Sequence, residues 1–210
     1  MIQDEATPDT ASDDRPWRPA AGGASFVYFL PCPGMDDIAK LGMSRDPLER
    51  CQALHPRWYE FFDLERGWLL ETDRVREARA IELGIGRELH EHRAPAPLTV
   101  NTRAGGDTEW YRGASDWLEA RGESFSRAGH RLHRPLLAWL RPRLLERAHR
   151  LYHWSDALMD AIEQAAPADA TRLQWTLRNG LDAYAALELP LDPWIPARAL
   201  RWHQAAAGDD

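Results

Sequence analysis

The stretch AKLGMSRDPLER, residues 39 to 50, decides how the first half of this chain is read. It holds Lys40, the single lysine among the 26 Lys and Arg residues. With Ile38 it begins as IAKLGMS, residues 38–44, whose alternation predicts a strand. It then turns into a helix start. Asp46 is placed to cap, Pro47 suits the first turn, and Glu49 stands three residues after the cap. Upstream, SFVYFLPC (25–32) is aromatic and β-branched, the signature of a buried strand. PGMDD (33–37) is turn chemistry. Residues 25–44 therefore predict a hairpin feeding a helix, SRDPLERCQAL.

Working outward, EFFDLERGWLLE (60–71) predicts a third strand. DRVREARAIELGIGRELHEHRA (73–94) predicts a helix with Val75, Ala78, Ile81 or Glu82, Ile85 and Leu89 on one face. Gly84 and Gly86 weaken that helix by up to about 1 kcal/mol each, so a close neighbour is expected there. PAPLTVNTRAGGD (95–107) predicts a loop, and TEWYRG (108–113) a short strand or turn. From 115 onward the pattern is helical, with Pro135 and Pro142 punctuating it into a short and then a long helix. The expected fold is α+β: a small, mostly antiparallel three-stranded sheet flanked by helices over residues 25–113, then an all-helical region over 114–206. An acidic tail over 1–24, with Asp4, Glu5, Asp9, Asp13 and Asp14, is expected to be disordered. Residues 207–210 form a short second tail.

At 44% apolar residues and ten tryptophans, the chain can bury an aromatic-rich core. The formal charge of −7 argues against a protein that coats nucleic acid wholesale. The two cysteines, Cys32 and Cys51, offer no zinc spacing and no disulfide framework. No window reaches the length of a membrane span, and the acidic N-terminus is the opposite of a secretory signal. A cytoplasmic protein without a membrane partner is the expectation.

In the order Val27-Tyr28-Phe29, Lys40-Leu41-Gly42, Ser44, Asp46-Pro47, Arg50, Glu82 and Glu109-Trp110-Tyr111, residues 25–113 resemble the GIY-YIG nuclease superfamily. The similarity is to the divergent branch whose second motif reads K-[IL]-G and which closes on EW[FY]. Tyr28 and Lys40 lie 12 positions apart, Lys40 and Arg50 lie 10 apart, both as in that branch. Phe26 stands where the first motif has its glycine, and Lys40 where the second has a tyrosine. The resemblance implies a Mg²⁺- (or Mn²⁺-) dependent endonuclease acting on DNA phosphodiester bonds. It implies Tyr28 as base, Arg50 as phosphate clamp, Glu82 as metal ligand, and Lys40 in the place of the second tyrosine.

The chemistry of these residue types agrees. A cation near a phenol lowers its pKa, which would let Tyr28 act as general base or water-orienter. A guanidinium offers a planar fork to phosphate oxygens. A single carboxylate suits a Mg²⁺ that keeps most of its waters. Singly, Tyr28 also fits a core residue, Lys40 a solvent-facing one, and Arg50 a helix-surface ion pair. Glu82 in an apolar stripe needs a partner or a metal.

Further candidates are His55, placed to reach the cleft as a proton carrier, and Glu109, which fits either a second acidic ligand or a cap for the Gly105-Gly106 turn. Residues 127–150 are basic, and Arg131, Arg134, Arg141, Arg143, Arg147 and Arg150, with Trp139 and Tyr152 nearby, are candidates for nucleic-acid contact. A solvated amphipathic helix explains the same composition. Two other functions stay open: a non-catalytic nucleic-acid-binding module on the same fold, and a protein-interaction protein using its tryptophan-rich helical half.

Overall fold

The computed structural model describes residues 23–34 and 36–207. The acidic stretch over 1–22 and the last three residues lie outside them. The hairpin forms as expected: β1 (Ser25–Pro31) pairs antiparallel with β2 (Ile38–Ser44), and Tyr28 faces Gly42 across the ladder. Helix α1 (Pro47–Leu54) starts where the sequence places it. The Asp46 carboxylate accepts from the Glu49 N–H at 3.0 Å, and Pro47 occupies the first turn. Ser44 braces this corner, its hydroxyl donating to the Asp46 carbonyl at 2.9 Å and accepting from the Asp46 N–H at 3.0 Å.

The sheet is larger than three strands. It has six, all paired antiparallel, in the order β4-β5-β2-β1-β3-β6. The third strand is shorter than the aromatic run suggests: Trp58–Phe61 form a helical turn, α2, and β3 covers only Trp68–Thr72. The break has a local cause. The Asp63 carboxylate accepts from the Glu65 and Arg66 N–H groups, which bends the chain before Gly67. After α3 (Val75–Glu88) and a 3-10 turn come β4 (Arg93–Ala94) and β5 (Trp110–Arg112). The sixth strand, β6 (Arg131–His133), pairs with β3 from within the region expected to be all-helical, after α4 (Ser115–Arg127). Three residues are too few to show periodicity. Their strand conformation is set by the edge of β3 that they cover.

The remaining helices are α5 (Leu136–Glu146), α6 (Leu151–Gln164), α7 (Pro167–Ala186) and α8 (Ala197–Ala207). Pro142 does not end α5. The helix runs through it because Leu136, Trp139, Leu140 and Leu144 are buried on one side, and that packing outweighs the lost hydrogen bond.

The sheet has a core on each face. Val27, Phe29, Ala39, Leu41, Trp68 and Leu70 pack with Ala78 and Ile85 of α3, Leu89 just past its end and Leu118 of α4. Phe26, Tyr28, Leu30 and Leu69 point the other way, into a larger core with α1, α2 and the later helices. Gly86 gives the close approach expected of it, since a Cβ there would stand 3.1 Å from the Tyr111 hydroxyl; Gly84 faces open space.

Candidate active site

Tyr28 and Arg50 are hydrogen-bonded, and Lys40 and Glu82 act on them electrostatically, around the place where β5 stops covering β2. The register of the two strands ends at Lys40–Trp110, and the last bond runs from the Leu41 N–H to the Glu109 carbonyl at 3.0 Å. Backbone donors on one strand edge recur every second residue. The Met43 N–H thus points to the same edge, past the end of β5. The Glu82 carboxylate of α3 faces that N–H. Glu82 thereby reaches the sheet edge from the α3 face, while Tyr28, Lys40 and Arg50 approach from the face that carries α1.

Tyr28 is positioned by a glycine. The phenol lies flat over Gly42, so close that a Cβ at 42 would sit 2.3 Å from the hydroxyl oxygen. That hydroxyl accepts from Arg50 Nε at 3.0 Å, and Arg50 Nη2 donates to the Gly105 carbonyl at 2.9 Å. The guanidinium is thus strung between the first strand and the loop before β5. The structure corrects one expectation here. The phenol is 2% exposed, and burial pushes its pKa up to about 12 although the neighbouring Arg50 pulls it down. Desolvation outweighs the cation, so Tyr28 is not primed as a base in this state. Its hydroxyl orients Arg50.

Lys40 is buried, and its ammonium has three acceptors: the Thr108 carbonyl at 2.5 Å, the Leu41 carbonyl at 3.2 Å and the Glu109 carboxylate at 3.4 Å. All three of its donors can be matched this way. Burial lowers its pKa, and Glu109 opposes that shift. Lys40 is therefore a cation spent on the protein, pinning residues 108–109 to β2. It also acts electrostatically on Glu82 and Arg50. Its isolation among arginines has a steric sense: a single tetrahedral ammonium suits three converging acceptors where a planar fork does not.

Glu82 is half-buried. Burial raises its pKa, the charge of Glu109 raises it further, and Lys40, Arg79 and the Met43 N–H oppose. Glu109 has a left-handed backbone, φ 55°, and its carboxylate also accepts from the Thr108 hydroxyl at 2.5 Å. It does not cap the Gly105-Gly106 turn. Asn101 caps the preceding 3-10 turn, Thr102–Ala104, by accepting from the Arg103 N–H, and Trp110 Nε1 donates to the Gly106 carbonyl. Glu109 instead pairs with Lys40 and raises the pKa of Glu82.

The cluster thus holds two carboxylates and two cations around a buried phenol. Among the described residues no set of three or more His, Cys, Asp or Glu side chains is arranged to hold a metal. A divalent ion would have to be held by Glu82, with Glu109 beside it, and keep most of its own water, as Mg²⁺ does. The mutual repulsion of the two carboxylates is what such an ion would relieve.

His55 is not drawn into the cluster. Its ring stacks on Phe61 at 4.2 Å, its Nδ1 accepts from the Arg57 N–H, and burial lowers its pKa. Cys51 is buried and Cys32 half-buried, and both are free. Most of the six arginines expected to contact nucleic acid are already engaged within the protein. Arg131 pairs with Glu71, Arg134 with Glu119 and Glu123, Arg141 with Glu188, and Arg147 with Asp46. Arg143 lies over the Trp139 ring at 3.9 Å. Four of the six are thus neutralised locally. That weakens a sequence-independent attraction to phosphate backbones, which scales with unspent charge.

Three contributors had no role assigned from sequence: Gly42, Thr108 and the Met43 peptide. A glycine inside a strand signals close backbone approach, so Gly42 was readable. The other two act through main-chain atoms or a turn, for which one sequence carries no signal. Compared with family models, curated proteins and solved structures, the chain matches none.

Proposed function

We propose that this chain is an endonuclease of the GIY-YIG kind, hydrolysing DNA phosphodiester bonds with Mg²⁺ or Mn²⁺ bound at Glu82. One observation supports the proposal most: Arg50 donates to the Tyr28 hydroxyl, and Lys40 and Glu82 act electrostatically on that pair where β2 loses its β5 partner. Bound there, the ion would neutralise phosphate charge and supply an acidified water. Arg50 binds a phosphate oxygen, held in place by the Tyr28 hydroxyl and the Gly105 carbonyl. Lys40 fixes the turn that carries Glu109, and Glu109 keeps the local field in balance. No helix among the described residues is long and apolar enough to cross a membrane.

The test is plasmid nicking by the purified chain with Mg²⁺ and with chelator, alongside Glu82→Ala and Arg50→Ala. Metal-dependent cleavage lost in both variants is expected. Cleavage that persists unchanged in both would remove this site. A second reading, a nucleic-acid-binding module without catalysis, is favoured by the high pKa of the Tyr28 phenol. It predicts salt-dependent DNA binding with no strand scission under any divalent ion.

A further inference from the structure

Beside α1 lies a cavity of about 410 Å³, in the range of small-molecule sites. It is framed by α1, the segment before α2, the end of α5, α6 and α7. Its walls are mostly apolar, with Leu144, Leu151, Ala183 and the edge of Trp58, and the half-exposed Trp154 indole forms one side. Trp154 is held firmly. Its ring edge packs on Gly180 so closely that a Cβ there would stand 2.4 Å from it. The polar groups on the lining are of two kinds. Arg147 and Arg150 bring positive charge beside the Tyr184 hydroxyl. Gln52, Thr176 and Asn179 bring amides and a hydroxyl.

These parts differ in how far they are already used. Arg147 is paired with Asp46, and the Asn179 carboxamide oxygen accepts from Arg57 at 3.3 Å, which leaves its NH₂ side for another partner. Arg150 is exposed and, unlike Arg131, Arg134, Arg141 and Arg147, has no carboxylate partner among the described residues. A preformed hollow with a fixed indole wall, hydrogen-bonding amides and one unspent guanidinium at its mouth suits a planar ring with polar edges joined to an anion. An aliphatic acid would leave the amides unused, and a neutral ring would leave Arg150 unused.

We infer that this cavity binds a nucleotide unit, with the base against Trp154, its edge toward Asn179 and Gln52, and the phosphate on Arg150. Aromatic stacking tolerates any base, and a guanidinium suits phosphate. The unit is either a free mononucleotide or one residue of a nucleic-acid strand. The inference stands without the endonuclease assignment, because it uses none of that cluster's residues.

The test uses the full chain, with calorimetry and tryptophan fluorescence. The probes are adenosine monophosphate, uridine monophosphate, adenosine, inorganic phosphate and a short single-stranded oligonucleotide. Saturable binding of the monophosphates is expected, with adenosine and phosphate alone weaker by roughly tenfold or more. Arg150→Glu should weaken the monophosphates by about tenfold or more without moving the thermal transition, because the side chain is exposed and unpaired. Trp154→Leu, which keeps an apolar filler, should remove the fluorescence response. An oligonucleotide that binds much more tightly than the monophosphates identifies a strand as the ligand; equal affinity identifies the free nucleotide. The inference is overturned if neither class binds saturably up to about 10 mM, if adenosine binds as well as its monophosphate, or if Arg150→Glu changes nothing. None of these results depends on DNA cleavage, so the two assignments fail separately.

Discussion

Gly42 and Tyr28 face each other across β1 and β2 with no room for even one carbon between them: a Cβ on Gly42 would lie 2.3 Å from the phenol oxygen. The glycine is the floor on which the tyrosine rests, and Arg50 is aimed from that tyrosine. Gly42→Ala should therefore act as an overpacking change. It is expected to cost about 1–3 kcal/mol in urea unfolding and to weaken any phosphate binding through Arg50. If the variant equals the parent in both, the phenol does not lie over the glycine.

Tyr28→Phe keeps the ring and removes the acceptor for Arg50 Nε. Stability should fall by about 1.5–3 kcal/mol, since one hydrogen bond to a charged group is lost and no cavity opens. DNA cleavage should fall on the order of 10- to 100-fold through misplacement of the guanidinium. A tyrosine serving only as core would show the first effect without the second. Chemical denaturation and a nicking time course separate the two.

Glu82 predicts a pH dependence of definite sign. Folded, its carboxyl keeps its proton to a higher pH than when unfolded, because burial and then Glu109 raise its pKa above the ordinary 4.5. The native state therefore binds more protons in that range, and stability falls as pH rises through it. Glu82→Gln cannot ionise and escapes this cost. It should be more stable than the parent at neutral pH, with the gap closing as pH drops below 4.5, while metal-dependent cleavage is lost. Urea midpoints at several pH values check it. A variant less stable than the parent at neutral pH would contradict the sign.

Asp46 serves two masters: one carboxylate oxygen caps α1 through the Glu49 N–H, and the other receives Arg147 from beyond α5. Asp46→Ala should cost about 1–2 kcal/mol for the cap alone. Together with Arg147→Met it should show a coupling of about 0.5–3 kcal/mol, measured by a double-mutant cycle in urea. Additive effects would mean that the two residues do not sense each other.

The hairpin and the cap were legible because their signals are local: alternation in IAKLGMS, then Asp-Pro with Glu49 three residues past the cap. The convergence of Tyr28, Lys40, Arg50 and Glu82 was legible only as spacing along the chain. What failed had a common physical origin. Arg131–His133 and Arg93–Ala94 became strands because an edge was there to pair with, and no short segment carries that information. Residues 60–71 read as one strand from their aromatics, yet the Asp63 carboxylate set a turn in their midst. The acidity of the Tyr28 phenol was misjudged from its neighbour's charge, since burial, which counts for more, is a property of the whole packing. The arginines of 127–150 looked unspent because their acidic partners, Asp46, Glu71, Glu119, Glu123 and Glu188, all lie outside that stretch.

The placement of β6 bears on how the protein can be dissected. Leu132 pairs with Leu70 and His133 with Leu69, so the later part of the chain seals the outer margin of β3. Trp68 likewise donates to the Leu118 carbonyl and rests against Gly122. A fragment ending at residue 113 would strip that margin bare and leave an apolar strand ready to recruit its own copies. Such a piece should precipitate rather than behave as a minimal nuclease, whereas one ending after residue 134 keeps its border closed.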